Sequence, residues 1–131
     1  MAEPAPAGDP ARLRGRHLLV VEDEYMIAMD IAHTLEELGA EVVGPAGSVA
    51  DALLLVQDED SRIDAAVLDI NLRDERVFPV AEALIARGVP FVFATGYDAS
   101  VIPSAYAAAP RCEKPVNKTS LVRILAQHLG K

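Results

Sequence analysis

The sequence predicts an α/β fold, a doubly wound five-stranded parallel sheet with helices on both faces. Short, continuous apolar runs alternate along the chain with segments whose apolar residues recur at helical spacing. The connections are short, which favours parallel strands joined by right-handed crossovers. No glycine-rich phosphate loop follows the first apolar run, so this (βα)5 pattern favours the flavodoxin-like strand order 2-1-3-4-5 over the dinucleotide-binding order.

The first half of the chain contains three predicted strands and two predicted helices. Apolar runs at residues 18–21 and 65–68 each end abruptly at a carboxylate, which is typical of strands buried on both faces. Residues 25–38 carry apolar side chains at helical spacing, and Gly39 follows where a helix C-cap favours glycine. Residues 41–44 form a short β-branched strand, and Ser48 starts the second helix with a capping pattern.

The second half continues the alternation with weaker signals. Residues 71–76 are polar and irregular, residues 80–87 form a short helix, and residues 89–94 form the fourth strand. Residues 97–109 are alanine-rich but contain Pro103, so the fourth helix should be short or irregular. A fifth strand at residues 111–113 precedes a last helix capped by Asn117.

Composition and charge limit the possible classes. A chain of 131 residues that is 51% hydrophobic fits one domain, predicted over residues 15–131 after a flexible tail at residues 1–14. The net charge of −8 disfavours nucleic acid as a partner. The single cysteine excludes an internal disulfide, and no apolar run is long enough to span a membrane, so the protein is predicted to be cytoplasmic.

Polar residues follow four of the predicted strands, and parallel strands bring their carboxyl ends to one edge of the sheet. These residues are Glu22 and Asp23, Asp69, Thr95, and Lys114. Three carboxylates brought together on buried strands repel one another, and a hard divalent cation relieves that repulsion. Mg²⁺ prefers oxygen ligands and commonly acts beside a phosphate, so this edge is predicted to be a magnesium and phosphate site.

The same residue types suit phosphoryl transfer to a carboxylate. A carboxylate is a competent nucleophile toward phosphorus, and the acyl phosphate that it forms needs its oxygens neutralised. Lys114 can supply positive charge, while Thr95 offers a hydroxyl and Gly96 an unobstructed backbone N–H. Each residue alone has an ordinary structural role, so the prediction depends on their shared edge.

Four short motifs carry a family resemblance over residues 16–129. They are Leu-Val-Val-Glu-Asp-Glu at 19–24, Val-Leu-Asp-Ile-Asn-Leu at 67–72, Phe-Ala-Thr-Gly-Tyr at 93–97 and Glu-Lys-Pro at 113–115. In this order and at these strand ends, the sequence resembles the response regulator receiver domains of two-component signalling. The resemblance implies a stand-alone phosphoacceptor switch with self-phosphorylation and dephosphorylation chemistry, not a turnover enzyme.

The resemblance also implies a role for each motif residue. Asp69 is expected to be the phosphoacceptor, with Mg²⁺ or Mn²⁺ bound by Glu22, Asp23, Asp69 and the backbone carbonyl of Asn71. Thr95, Gly96 and Lys114 are expected to bind the phosphoryl group, and Thr95 and Tyr97 to switch. The expected partners are a sensor histidine kinase or phosphotransfer protein as phosphoryl donor, and a downstream protein as target.

Two features distinguish the sequence within that family. The motif at residues 93–97 is similar to an atypical subgroup, common in alphaproteobacteria, that often works with kinases of the HWE or a related class. Arg111 stands where the family usually has its switch aromatic, so Tyr97 is the candidate for the mobile ring.

Two other functions stay open from the residues. A phosphohydrolase can also use a strand-end aspartate as nucleophile, although such enzymes usually place a second aspartate where this chain has Asn71. A receiver-like module that binds proteins without phosphorylation is the other, and the clustered carboxylates argue against it.

Overall fold

The computed structural model describes residues 6–96 and 102–129, which form one sheet, one small hairpin and their covering helices. The α-helices of this part are α1 Tyr25–Glu37, α2 Val49–Gln57, α3 Phe78–Ala86 and α4 Lys118–His128. The strands are β1 His17–Val21, β2 Glu41–Ala46, β3 Ala65–Asp69, β4 Asn71–Leu72, β5 Glu75–Arg76, β6 Phe91–Thr95 and β7 Arg111–Glu113. Short 3-10 helices lie at Pro10–Leu13 and Ser104–Tyr106.

The main sheet has five parallel strands in the order β2-β1-β3-β6-β7. This confirms the predicted 2-1-3-4-5 pattern, because β6 and β7 are the fourth and fifth strands of that sheet. Gly44 bends β2 beside an irregular register with β1. Its φ is +91°, and a Cβ there would lie 2.7 Å from the Ala46 nitrogen, so only glycine fits.

Strand residues alternate between two cores, one on each sheet face. In β1, Leu19 and Val21 pack with residues of α2 and α3, whereas Leu18 and Val20 pack with residues of α1 and α4. Both faces are therefore apolar, which explains why the strands read as continuous apolar runs.

The polar stretch predicted to be irregular forms the antiparallel β4–β5 hairpin instead. Leu72 and Val77 are fully buried and anchor it to the core, while Arg73 and Asp74 make the exposed two-residue turn. Sequence periodicity did not show this hairpin, because its strands are two residues long.

The N-terminal boundary also needs a correction. Pro10–Leu13 forms a 3-10 helix capped by Asp9, and Leu13 is completely buried against α4. The Arg12 guanidinium donates a hydrogen bond of 2.7 Å to the Leu129 carbonyl. The folded part therefore begins before Pro10, and not after the predicted tail boundary at residue 14.

The fourth crossover confirms the expected short or irregular helix. Between residues 102 and 109 the described chain contains only the three-residue 3-10 helix that follows Pro103. No helix within residues 6–96 and 102–129 combines the length and apolar character needed to cross a membrane.

Candidate functional site

Strand register brings the predicted site residues to one edge of the sheet. Val21 of β1 pairs with Leu68 of β3, so the residues that follow them, Glu22 and Asp69, are neighbours. Asp69 in turn pairs with Ala94, and Thr95 lies one residue beyond. On the next strand Thr95 pairs with Glu113, which places Lys114 at the same edge.

Three carboxylates form a tight cluster there. One oxygen from each of Glu22, Asp23 and Asp69 lies within 4.8 Å of the other two. Glu22 and Asp69 are only 4% and 3% exposed, and the Asp23 side chain is 16% exposed. Charged groups this buried are uncommon unless they are paired or bind a metal.

Burial and crowding change the ionisation of Glu22. Burial raises its pKa from 4.5 to about 8, assisted by a hydrogen bond to Asp69 and by repulsion from its charge. The Glu24 backbone N–H, which donates to Glu22 Oε2 at 3.1 Å, and the Lys114 ammonium oppose the increase. Even with the Lys114 ammonium present, a third full negative charge is therefore unfavourable at this edge, and a further cation would offset that cost.

Lys114 supplies positive charge on the β7 side of the cluster. Its Nζ lies 2.7 Å from Asp69 Oδ1 and 3.9 Å from Glu22 Oε1. The backbone holds it there, because the Lys114 N–H donates to the Thr95 carbonyl at 2.6 Å at the end of the β6–β7 ladder. The side chain is 30% exposed, so the ammonium lies between the buried acids and solvent.

The remaining predicted residues surround this cluster. Thr95 is 2% exposed at the end of β6, and Gly96 follows it at the surface. Asn71 is half-buried at the start of β4, two residues after Asp69. Tyr97 lies outside the described residues, so its switch role stays a prediction.

The donor atoms suit a hard divalent cation. The cluster offers oxygens alone, on neighbouring strand ends, with no thiolate or imidazole among its members. Burial and the neighbouring Asp69 disfavour the charged form of Glu22, and a cation bound at the cluster would remove that penalty. Mg²⁺ fits both features, and Mn²⁺ shares the same oxygen chemistry.

Two residues near the site were missed by sequence reasoning. Arg73 at the hairpin turn places its Nε 3.8 Å from Asp23 Oδ2. Tyr106 stacks on Phe78 at 5.5 Å and meets the edge of Phe93, two residues before Thr95. Neither had a signal, since Arg73 lies in a stretch without periodicity and Tyr106 in the interrupted fourth crossover.

Comparisons with known proteins give one coherent group. No protein-family model matches the chain. The solution structure of SdrG from Sphingomonas melonis Fr1 is 43% identical, covers 87% of this chain and 96% of SdrG, and has a TM-score of 0.75. The response regulator PhyR from Brucella abortus is 29% identical over 94% of this chain and 51% of PhyR, with the same TM-score of 0.75.

A curated relative covers a shorter stretch. The transcriptional regulatory protein PdtaR from Mycobacterium tuberculosis is 34% identical over 83 residues, which is 63% of this chain. The match spans 40% of the length of PdtaR.

Proposed function

This chain belongs to the response regulator receiver domains, and from that premise we propose that it accepts a phosphoryl group on Asp69 in a Mg²⁺-dependent reaction. It acts as a phosphorylation-controlled switch and not as a turnover enzyme. The phosphoryl donor is a histidine kinase or a phosphotransfer protein. The signal leaves by protein–protein contact or by onward transfer of the phosphoryl group.

One observation carries the proposal. Asp69 is buried at a strand end, yet it contacts a lysine at 2.7 Å and lies within 4.8 Å of two further acids. A purely structural strand end has no reason to collect repelling carboxylates around one lysine. A nucleophilic carboxylate with an anion-binding cation beside it accounts for both features.

The residues divide the chemistry among them. An oxygen of Asp69 forms a bond to phosphorus, while the P–N bond to the donor histidine breaks and the imidazole nitrogen leaves. Lys114 lies where it can contact the oxygens of the transferred group as it approaches Asp69. Glu22, Asp23 and Asp69 would hold a divalent cation, and Mg²⁺ held there would help to neutralise the charge of the transferring group.

Phosphorylation would alter the charge at this edge. It replaces the Asp69 carboxylate by a group of about −1.5 to −2 charge with three acceptor oxygens. Thr95 is the last residue of β6, the strand next to β3, and Gly96 follows it. The Thr95 hydroxyl and the Gly96 N–H can both donate to such oxygens. We propose that their rearrangement, together with that of Tyr97, is the switch.

The identity of the kinase is a finer part of the proposal. The Phe-Ala-Thr-Gly-Tyr motif at residues 93–97 is similar to a subgroup that often works with HWE or related kinases. Arg111, at the position where the family usually has its switch aromatic, is an exposed charged residue. Its guanidinium donates a hydrogen bond of 3.4 Å to the Ala107 carbonyl.

Intact-mass analysis after addition of acetyl phosphate and Mg²⁺ tests the proposal. The wild type is expected to gain one phosphoryl group, whereas D69N and a wild-type sample in EDTA are expected to gain none. D74N, which removes a carboxylate from the exposed hairpin turn near the site, serves as the matched control and should still be modified. If the wild type gains no phosphoryl group from acetyl phosphate and none from a phosphorylated kinase, the result would favour a binding module that acts without phosphorylation.

A further inference from the structure

The β4–β5 hairpin places a second cation, Arg73, beside Asp23, the carboxylate of the acidic cluster for which the described residues show no ion pair with Lys114. We propose that Arg73 is a displaceable counter-ion of Asp23, which neutralises this carboxylate in the metal-free protein and leaves it when a divalent cation binds. Arg73 thereby sets the Mg²⁺ concentration at which the site fills. This inference rests on the proposed function, because it assumes that Asp23 is a metal ligand.

The contacts divide the three acids between two cations. Lys114 lies 2.7 Å from Asp69 and 3.9 Å from Glu22. Arg73 Nε lies 3.8 Å from Asp23 Oδ2, the member of the cluster with the most exposed side chain. A divalent cation bound to Asp23 would bring like charges within a few ångströms of the guanidinium. Coulomb repulsion would then favour departure of Arg73.

The hairpin holds the Arg73 backbone while leaving its side chain free to move. Leu72 pairs with Glu75 across the turn and is buried, and a Glu75 carboxylate oxygen accepts a hydrogen bond from the Val49 N–H at 3.3 Å. The Arg73 side chain itself is 81% exposed. The guanidinium can therefore leave Asp23 without unfolding any element.

Backbone geometry shows that this position is unusual for arginine. Arg73 has a φ of +57°, the left-handed region that glycine and asparagine occupy most readily in hairpin turns. A non-glycine residue in this region is strained. Its contact with Asp23 gives arginine a role here that a glycine, which relieves the strain, could not fill.

The size of the effect follows from exposure. An ion pair with one partner this exposed contributes at most about 1 kcal/mol, which is a factor of about five in an equilibrium constant. Removal of the Arg73 charge should therefore tighten Mg²⁺ binding about two- to fivefold. The effect should shrink at high ionic strength, because salt screens exposed pairs.

Mg²⁺ titrations of the full chain without any phosphoryl donor test the inference, comparing wild type, R73Q and R76Q at constant ionic strength. Arg76 is exposed on the same hairpin and, among the described residues, makes no ion pair, so R76Q reports the background effect of losing one positive charge. R73Q is expected to bind Mg²⁺ about two- to fivefold more tightly than the wild type, and R76Q is expected to change the affinity by a smaller factor.

A side-chain NMR signal provides a readout that a merely structural role would not change. The Arg73 Nε–H resonance should shift on Mg²⁺ addition in the wild type, and D23N should place it near the Mg²⁺-bound position from the start. Equal affinities of R73Q and R76Q, with a stationary Nε–H signal, would overturn the inference and leave the proposed function intact. A wild type that binds no Mg²⁺ would overturn both.

Discussion

Glu22→Gln is expected to stabilise the metal-free protein at neutral pH, although it alters a buried residue of the site. Glu22 is 4% exposed, and its pKa is raised to about 8 by burial and by Asp69. The charged form of Glu22 is therefore unfavourable in the folded state, whereas water solvates it in the unfolded chain. Glutamine keeps an oxygen that can accept from the Glu24 N–H, but it carries no charge.

The pH dependence follows from the sign of this shift. The pKa of Glu22 is about 8 in the folded protein and has the ordinary value of 4.5 in the unfolded chain. Protonated Glu22 therefore contributes fully to the free energy of unfolding below pH 4.5, and this contribution is lost as the pH rises through about 8. Between these two pH values, the free energy of unfolding of the wild type should fall by up to about 1.4 kcal/mol per pH unit relative to that of E22Q. Between about pH 5 and about pH 7 this amounts to roughly 2 to 3 kcal/mol.

Urea denaturation in EDTA, at several pH values between these limits, measures the difference. E24Q is the matched control, since Glu24 is an exposed neighbour outside the acidic cluster. The wild type should weaken with rising pH relative to E22Q, and Mg²⁺ should then stabilise the wild type more than E22Q. Parallel pH profiles for the wild type and E22Q would mean that the crowded carboxylates do not destabilise the metal-free fold.

Three further predictions follow from individual contacts. K114A removes the cation 2.7 Å from Asp69 and should slow formation of the phospho-adduct about 10²- to 10³-fold, measured by intact mass over time. T95V should leave the adduct intact but reduce the amide shifts that it causes at the β6 end, measured by NMR. L13A should cost about 2 to 5 kcal/mol in urea denaturation, because Leu13 is fully buried, whereas L54A, at a position 71% exposed, should change stability by no more than about 0.5 kcal/mol.

The sheet and the shared edge could be predicted because the information for both is local. The three central strands, β1, β3 and β6, are almost entirely buried, so each appears in the sequence as an apolar run, and its carboxyl end appears as the first polar residue. Val21 before Glu22 and Leu68 before Asp69 are such ends. Parallel topology then brings the ends together without knowledge of side-chain packing.

The features that sequence reasoning missed depend on distant partners. Leu13 is a lone apolar residue in a segment rich in alanine, proline and arginine, and only its packing on α4 reveals its role. Arg73 and Asp23 are 50 positions apart in the sequence. The two-residue turn that contains Arg73 has neither the glycine nor the asparagine that usually indicates a hairpin. Tyr106 likewise belongs to a short 3-10 turn without periodicity, and its position depends on stacking with Phe78.

Residue-level mapping of the adduct shows whether Asp69 itself carries the phosphoryl group. Borohydride reduces an aspartyl phosphate to homoserine, so the protein would be treated with acetyl phosphate and Mg²⁺, reduced, digested and sequenced by mass spectrometry. If Asp69 is the phosphoacceptor, homoserine is expected at position 69 in the wild type and none in D69N. Homoserine at another aspartate, or an adduct on a residue that borohydride does not reduce, would contradict it.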